Sequence, residues 1–411
     1  MTFDTLLDRF VRYARIDTQA DERSTTYPST PGQLELGKLL RDELLALGFT
    51  DARQTKFGIV HATIPATIPE KVPSVGLIAH VDTSPEFSGK GVNPQIIRNY
   101  PGGDIVLPKV PERVIRVSEN PELNHLIGKT IITTDGTTLL GADDKAGVAV
   151  IMETARLLAA RKDIPHGPIQ ICFTCDEEIG KGVNHLDFAE LGADVAYTLD
   201  GAGTGEVEGE TFSADKATIT ITGVNIHPSI AKGRMVNAVR LAGMFLERLP
   251  KYLLTPETTS GREGFLHPYV IEGGVPETKI HCLLRDFETP KLAEQAALLR
   301  EIAAHIMREY PESRIVVDVV KQYRNMRDGM VKEPRAVPYA LEAVKRTGVE
   351  PRQTIIRGGT DGSRMTELGL PTPNLSTGEH NPHSPLEWTC LEELEANVRV
   401  LMELVQVWAG R

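Results

Sequence analysis

The pattern of apolar and polar positions predicts two different orders of helices and strands. The first order covers roughly the first half of the chain. Apolar runs typical of strands occur at residues 59–64, 74–80 and 169–175, and helical periodicity occurs at 32–47 and 148–158. Strands that alternate with helices indicate a mostly parallel α/β sheet. In such sheets functional groups lie at the carboxyl ends of the strands. We therefore expect the chemistry of this protein at those ends.

The order of elements changes after Gly209. The predicted elements are then, in order, a strand at 216–223, a helix at 237–249, strands at 268–272 and 278–287, a helix at 291–309 and a strand at 314–320. This β-α-β-β-α-β order builds an antiparallel sheet with two helices on one face. The α/β pattern resumes at a helix over 336–346. We predict a discontinuous catalytic domain, residues 1–211 and 324–411, with an inserted ferredoxin-like domain, residues 212–323.

Composition and charge mainly exclude classes of protein. The formal net charge of −11 disfavours a broad nucleic-acid surface, which needs the opposite sign. No apolar run approaches the ~18 residues of a membrane helix, and residues 2–16 show the pattern of an amphipathic helix and not of a signal peptide. Cys172 and Cys175 form a CxxC, but inside an apolar strand, which favours burial over a metal knuckle. We expect a cytoplasmic protein that binds neither nucleic acid nor a membrane.

Acidic residues and histidines follow several predicted strands. The pair Asp143-Asp144 stands between a glycine turn and an apolar helix, where carboxylates are ordinary capping residues. His80 ends one predicted strand, and Glu177 and Asp200 follow two others. One acid at a strand end carries no information, because acidic loops and turn aspartates are common. Four such clusters in one α/β pattern indicate a site.

These residue types suit a site for two metal ions. Asp82 lies two positions after His80, on the same side of an extended chain, and can hold the imidazole nitrogen that does not bind metal. Asp143 can bridge two ions about 3.5–4 Å apart, which polarise a carbonyl and activate water. Of the adjacent acids Glu177 and Glu178, one can bind metal while the other acts as a general base.

A second nitrogen ligand is expected from the polar loop TGEHNPHS, residues 377–384. Histidines in such loops are usually exposed to solvent. A site for two ions nevertheless needs a second imidazole besides His80. We take His383 as the ligand, and His380 remains the competing candidate.

Several longer motifs carry a resemblance to a known family. They are, in order, AHVDTSPEFSG (79–89), LLGADDKAG (139–147), CDEEIGKG (175–182), TLDGAG (198–203), HPSIAKGRMVNA (227–238), RDFE (285–288), RGGTDGS (357–363) and NPHS (381–384). In order and spacing they resemble the tripeptide aminopeptidase branch of the dinuclear zinc peptidase family, which includes bacterial glutamate carboxypeptidase and succinyl-diaminopimelate desuccinylase. The resemblance extends from end to end of the chain.

The resemblance implies two Zn²⁺ per subunit and a ligand set. His80 and Asp200 match the terminal ligands of one zinc, and Glu178 and His383 match those of the other. Asp143 matches the ligand that bridges both ions and precedes a cis peptide bond. The residue before His383 is proline where an aromatic residue is expected, so this assignment depends on the alignment of the loop.

The resemblance also implies roles outside the ligand set. Glu177 matches the general base and Asp82 the residue that orients the metal-binding imidazole. His227, in the inserted domain, matches a histidine that reaches a substrate carbonyl, in some members that of the partner subunit. Arg285 and Arg357 match positions near the substrate carboxylate. The inserted domain is implied to serve as a lid and to form a homodimer.

The implied activity is release of the N-terminal residue from tripeptides. Two zinc ions are expected to activate a bridging water, with Glu177 as general base, and substrates are expected to be small peptides with a free N-terminus. A dipeptidase, carboxypeptidase or N-acyl-amino-acid deacylase of the same superfamily is the nearest alternative. A non-catalytic peptide- or metal-binding protein is a further alternative, but such a protein has no need of a base.

Overall fold

The chain forms two compact units in a computed structural model that describes residues 6–411. The first unit comprises the described chain up to Gly209, with Gly329–Thr354 and Thr360–Arg411. The second comprises Glu210–Asp328 and Ile355–Gly359. Residues 2–5 of the predicted N-terminal helix lie outside the described residues, and the helix runs over Leu6–Ala14 within them.

The secondary structure agrees with the hydrophobic pattern for the longer elements. Up to residue 211 the elements are α1 (Leu6–Ala14), α2 (Pro31–Ala46), β1 (Arg53–Gln54), β2 (Val60–Ile64), β3 (Val75–His80), β4 (Gln95–Ile97), β5 (Ile105–Val106), β6 (Val114–Ile115), a 3₁₀ turn (Pro121–His125), β7 (Ile131–Thr133), α3 (Ala142–Ala160), β8 (Ile169–Thr174), α4 (Phe188–Leu191), β9 (Val195–Leu199) and β10 (Glu206–Thr211). The later elements are β11 (Ser213–Thr222), α5 (Ala238–Glu247), β12 (Phe265–Gly273), β13 (Glu277–Asp286), α6 (Thr289–Glu309), β14 (Arg314–Tyr323), α7 (Arg327–Met330), α8 (Ala336–Arg346), β15 (Arg352–Ile356), α9 (Asp361–Glu367), β16 (Asn374–Leu375), β17 (Glu379–His380), β18 (Trp388–Cys390) and α10 (Leu391–Trp408), with 3₁₀ turns at Pro228–Ile230 and Pro256–Thr258.

The main sheet confirms the predicted α/β fold. Within residues 6–411 it has eight strands in the order β1-β2-β8-β3-β9-β16-β10-β15. Strands β8, β3, β9 and β16 run parallel at the centre, whereas β2 and β10 are antiparallel to their neighbours in that central group. The sheet is therefore mixed, with a parallel centre. The carboxyl ends of β3, β8 and β9 meet at one edge, which is where His80, Glu177 and Asp200 lie.

The second unit contains a separate antiparallel sheet, as expected. Its four described strands have the order β12-β13-β11-β14, and each pairs antiparallel with its neighbours. Alternate residues of β11, such as Ala217 and Ile219, are buried and join one hydrophobic core with Leu241 of α5 and Leu299 of α6. This packing explains the alternating pattern of residues 216–223, because only one face of that strand enters the core.

A small antiparallel sheet, in the order β17-β18-β7-β4, was not predicted. Its outermost strand, β4, pairs with β7. Strands of two or three residues are too short to show a period-2 pattern, so their pairing depends on distant partners. The sheet matters for the site because the loop between β17 and β18 carries His383.

The helix α4 is about one turn long. It covers only Phe188–Leu191, since the Asp187 side chain accepts hydrogen bonds from the backbone N–H groups of Ala189 and Glu190. This is an N-cap, which ends a helix on its N-terminal side. The described part of the chain includes no helix with the length and apolar character needed to cross a membrane.

A buried histidine outside the predicted ligand set gives a test of the fold by pH. His61 on β2 is 4% exposed, and burial lowers its pKa to about 4, an effect that Arg53 increases and that Glu190 and Asp187 oppose. The unfolded chain therefore binds the proton at higher pH than the folded chain. Stability is retained above the ordinary histidine pKa of about 6.5 and is lost as pH falls toward 4.

We predict that His61→Gln removes this pH dependence. Between pH 7.5 and 4.5 the wild type is expected to lose about 2 kcal/mol of unfolding free energy through His61, and the variant is not. Urea unfolding of the metal-free protein at both pH values measures the difference. His305→Gln, at an exposed position of α6, serves as the control. Equal pH dependence of wild type and His61→Gln would contradict the prediction.

Candidate active site

The segment from Leu140 to Asp144, called here the Asp143 turn, spans the start of α3 and departs from regular helix. Gly141 has φ +76°, a conformation that favours glycine, and Asp143 and Asp144 have non-helical dihedral angles. The peptide bond between these two aspartates is cis, as the resemblance implied. Gly147 lets α3 approach β9, because a Cβ there would lie 2.0 Å from the carbonyl oxygen of Leu199. The close approach brings the turn next to the end of β9, which Asp200 follows.

Asp143 connects two groups of candidate metal ligands. One group contains His80, Asp143 and Asp200, and the other contains Asp143, Glu178 and His383; within each, the ligand atoms lie within 4.8 Å of one another. The two oxygens of Asp143 face different groups, with Oδ1 3.0 Å from Nε2 of His80 and Oδ2 3.1 Å from Nε2 of His383. The structure thus brings together the five predicted ligands in the grouping that the resemblance implies.

Asp82 connects the first group to the acidic pair. Nδ1 of His80 lies 3.1 Å from the backbone oxygen of Asp82 and 3.4 Å from its carboxylate. The same carboxylate accepts backbone hydrogen bonds from Glu177 and Glu178, at 3.0 and 3.1 Å. Asp82 is fully buried, so this one side chain positions both an imidazole and the loop of the two glutamates.

Glu177 is held by a contact that the sequence did not predict. Its Oε1 accepts a hydrogen bond of 3.1 Å from the backbone N–H of Asp361, the first residue of α9. The preceding residue, Asp176, has φ +61°, and its buried carboxylate accepts from Ser29 and Gln33. These contacts are tertiary, between segments more than 140 residues apart, and no local sequence motif predicts them.

Several carboxylates of the site have raised pKa values. Burial raises the pKa of Glu177 well above its usual range, that of Glu178 to about 8 and that of Asp200 to about 7. Burial opposes a charged His383, but hydrogen bonds with Asp143 and Glu178 raise its pKa to about 11. The raised carboxylate pKa values mark a place where added positive charge is favourable.

The donor set fits divalent cations. Oε1 of Glu178 is buried without a hydrogen-bond partner, on a side chain that is 5% exposed. Carboxylate and imidazole donors suit zinc, manganese and cobalt alike. Asp144 and Glu379 are buried beside Asp200 and form a further group of ligand atoms with it. Cations at the two groups that share Asp143 would offset this buried charge.

His383 and His380 have different environments, which separates the two candidates from the polar loop. Nε2 of His383 lies 2.9 Å from Glu178. His380 stacks on Trp388 with ring centroids 3.7 Å apart, and its Nε2 lies 2.7 Å from Glu393. His383 alone of the two joins the group around Asp143.

The remaining predicted residues belong to the second unit. His227 is exposed, and its Nδ1 lies 2.7 Å from the hydroxyl of Ser229. Arg285 is buried, donates to the backbone oxygens of Asp215 and Leu284, and lies over the ring of Tyr323. Their roles toward a substrate stay predictions.

Arg357 is engaged within its own unit. Its guanidinium donates to the backbone oxygens of Gly261 and Glu263, at 2.7 and 2.8 Å, and lies over Phe212 and Phe265. A substrate carboxylate would compete with these contacts for the same group. Its role in substrate binding also stays a prediction.

A parallel-centred α/β sheet with two groups of carboxylate and imidazole donors at its carboxyl edge defines a metal-dependent hydrolase. The family model for Peptidase family M20/M25/M40 matches residues 135–407. The chain belongs to this peptidase family, and the family predicted from the motifs is confirmed.

Within the family, the chain is similar to curated proteins called Peptidase T. It is 45% identical to Peptidase T of Geobacillus kaustophilus over 403 residues, 98% of each chain. It is 44% identical to Peptidase T of Desulfitobacterium hafniense over 405 residues, again 98% of each. The crystal structure of aminopeptidase PepT from Bacillus cereus has the same fold, with a TM-score of 0.77, 24% identity and coverage of 100% of both chains.

Proposed function

We propose that this protein is a metallo-aminopeptidase that releases the N-terminal residue from tripeptides. The observation that carries the proposal is a half-buried carboxylate, Glu177, beside two metal-ligand groups that share Asp143. A binding protein needs the ligands but not the base. The similarity to Peptidase T over nearly the whole chain supports a peptide as the substrate.

The metal groups are assigned as the resemblance implies. His80 and Asp200 would hold one ion, Glu178 and His383 would hold the other, and Asp143 would serve both. We propose zinc as the metal, two ions per subunit. Divalent ions at such a site polarise the carbonyl of the scissile peptide bond and make a water molecule more acidic.

Glu177 moves the proton in this proposal. Its carboxylate takes a proton from the attacking water and then gives it to the leaving amine, which balances the hydrolysis of one peptide bond. The hydrogen bond from the Asp361 N–H to Oε1 fixes one oxygen of Glu177, so the other is free for the proton. Asp82 holds the backbone of Glu177 and the imidazole of His80 and thus fixes the position of the base relative to the metal ligand.

The roles of the second unit are proposed from the resemblance. His227 donates to the oxyanion that forms on the substrate carbonyl, in its own subunit or in the partner's. Arg285 and Arg357 interact with the substrate carboxylate. The inserted domain acts as a lid and forms a homodimer, and the protein works in the cytoplasm.

We predict that cleavage depends on a free substrate N-terminus and on metal. Free tripeptides are expected to be cleaved, and the same tripeptides with an acetylated N-terminus are expected to resist. Free di- and tetrapeptides are expected to be poorer substrates. Product analysis by chromatography gives the cleaved bond, and a chelator followed by added Zn²⁺ tests the metal.

The outcomes separate the alternatives. Cleavage of blocked peptides at the C-terminal residue would indicate a carboxypeptidase, and release of the acyl group would indicate a deacylase. Preference for dipeptides would indicate a dipeptidase. Binding of peptide and metal without any cleavage would contradict an enzyme.

A further inference from the structure

The loop between β17 and β18 carries a second residue directed at the Asp143 turn. Glu387 is 1% exposed, and its Oε2 accepts backbone hydrogen bonds from Leu140 and Gly141, both at 2.7 Å. Its Oε1 accepts one from the N–H of Asp143, at 3.0 Å. All three donors belong to the turn that presents Asp143, so one carboxylate binds the whole turn.

These backbone groups need an external acceptor. N–H groups at the start of a helix have no partner inside it, and the non-helical dihedral angles of Asp143 interrupt the regular pattern further. A carboxylate is a strong acceptor for them because each bond is assisted by its charge. The turn therefore takes its conformation partly from a residue almost 250 positions away.

The position of Glu387 itself is fixed from both sides. Its own N–H donates to the backbone oxygen of Ser384, 3.1 Å away. The next residue, Trp388, begins β18 and pairs with Thr133 of β7. His383 lies on the same short loop, so Glu387 connects the segment that carries His383 to the turn that carries Asp143.

We propose that Glu387 is a positioning residue that sets Asp143 relative to His383 and thereby the metal affinity of both groups. The proposal rests on the proposed function, since it takes Asp143 as the ligand that both groups share. Outer residues that orient ligands change metal affinity by about 10–100-fold when they are replaced. Because Asp143 serves both groups, a displaced turn affects both affinities together.

The chain offers a matched control in Glu392. This residue, in the first turn of α10, accepts a backbone hydrogen bond of 2.8 Å from Thr130. The chemistry is the same as for Glu387, a carboxylate on a backbone N–H of a distant segment. The acceptor, however, does not touch the Asp143 turn. Glu392→Gln therefore reports the loss of the negative charge at such an acceptor without moving a ligand.

The test compares Zn²⁺ affinity in full-length wild type, Glu387→Gln and Glu392→Gln. Competition with a chromophoric chelator gives the affinity of each of two sites, and thermal unfolding of the metal-free proteins gives their stability. Glu387→Gln is expected to weaken both sites by about 10–100-fold. Glu392→Gln is expected to leave both unchanged.

Either unchanged site in Glu387→Gln would overturn the proposal, because a shared positioning role requires both to weaken. If Glu387→Gln does not fold, Glu387→Asp, which keeps the charge but shortens the reach, is read by the same criterion. If the wild type binds two Zn²⁺ and Glu387→Gln binds them with the same affinities, only this inference is refuted. A wild type that binds no Zn²⁺ refutes the proposed function as well.

Discussion

Replacing Glu177 with glutamine is expected to lower kcat by about 10²–10⁴-fold while the protein keeps two metal ions. Glutamine keeps the size of the side chain and can accept the hydrogen bond from the Asp361 N–H. It cannot take a proton from water, so the loss falls on the chemical step. Steady-state kinetics with a free tripeptide and metal analysis of the same samples measure both quantities.

The adjacent residue provides the control. Glu178→Gln changes the same chemical group one position along the chain, but Glu178 faces His383 and Asp143 in a ligand group. This variant is expected to lose one metal ion. Glu177→Gln that retained substantial activity, or that lost metal as Glu178→Gln does, would remove Glu177 from the role of base.

Replacing Asp143 with alanine is expected to remove both metal ions together and to abolish activity. Its two oxygens face His80 and His383, and it is the residue that the two ligand groups have in common. Metal analysis after dialysis against a low concentration of chelator measures the loss, and added Zn²⁺ is not expected to restore tripeptide cleavage. Loss of only one ion would contradict a bridging role.

Variants of two histidines, three positions apart in one loop, provide a comparison with the loss of metal in the Asp143 variant. His383→Ala is expected to weaken one ion chiefly, because His383 belongs to one group. His380→Ala is expected to weaken neither, since His380 pairs with Glu393 and stacks on Trp388. The Asp143, His383 and His380 variants should therefore lose two ions, one ion and none. Equal effects of the two histidine variants would refute the choice of His383.

Much of the fold was predictable from the hydrophobic pattern. The long helices and most strands of five or more residues followed it, as α6 shows over Thr289–Glu309 against the predicted 291–309, whereas the six-residue strand β10 was not predicted. Most other elements that the pattern did not predict are short, such as β7 and the pair β17 and β18. Two or three residues cannot express a period, and their strand geometry depends on a partner from elsewhere in the chain.

The site residues likewise fall into those that the sequence predicted and those that it did not. His80, Glu177 and Asp200 could be found because they follow strands whose order implies a shared edge. Asp361 and Glu387 could not, because each acts on a backbone group far along the chain, Asp361 by donating its N–H to Glu177 and Glu387 by accepting from the Asp143 turn. Such contacts produce no recognisable spacing of residues in the sequence.

The sequence by itself determined the α/β class, the family and the strand-end residues His80, Glu177 and Asp200, because hydrophobic period and motif order are local properties of the chain. The tertiary structure decided which histidine of the 377–384 loop faces Asp143, and what holds Asp143 and Glu177 in place. Those outcomes depend on hydrogen bonds between segments distant in sequence, and such bonds form only when the chain has folded.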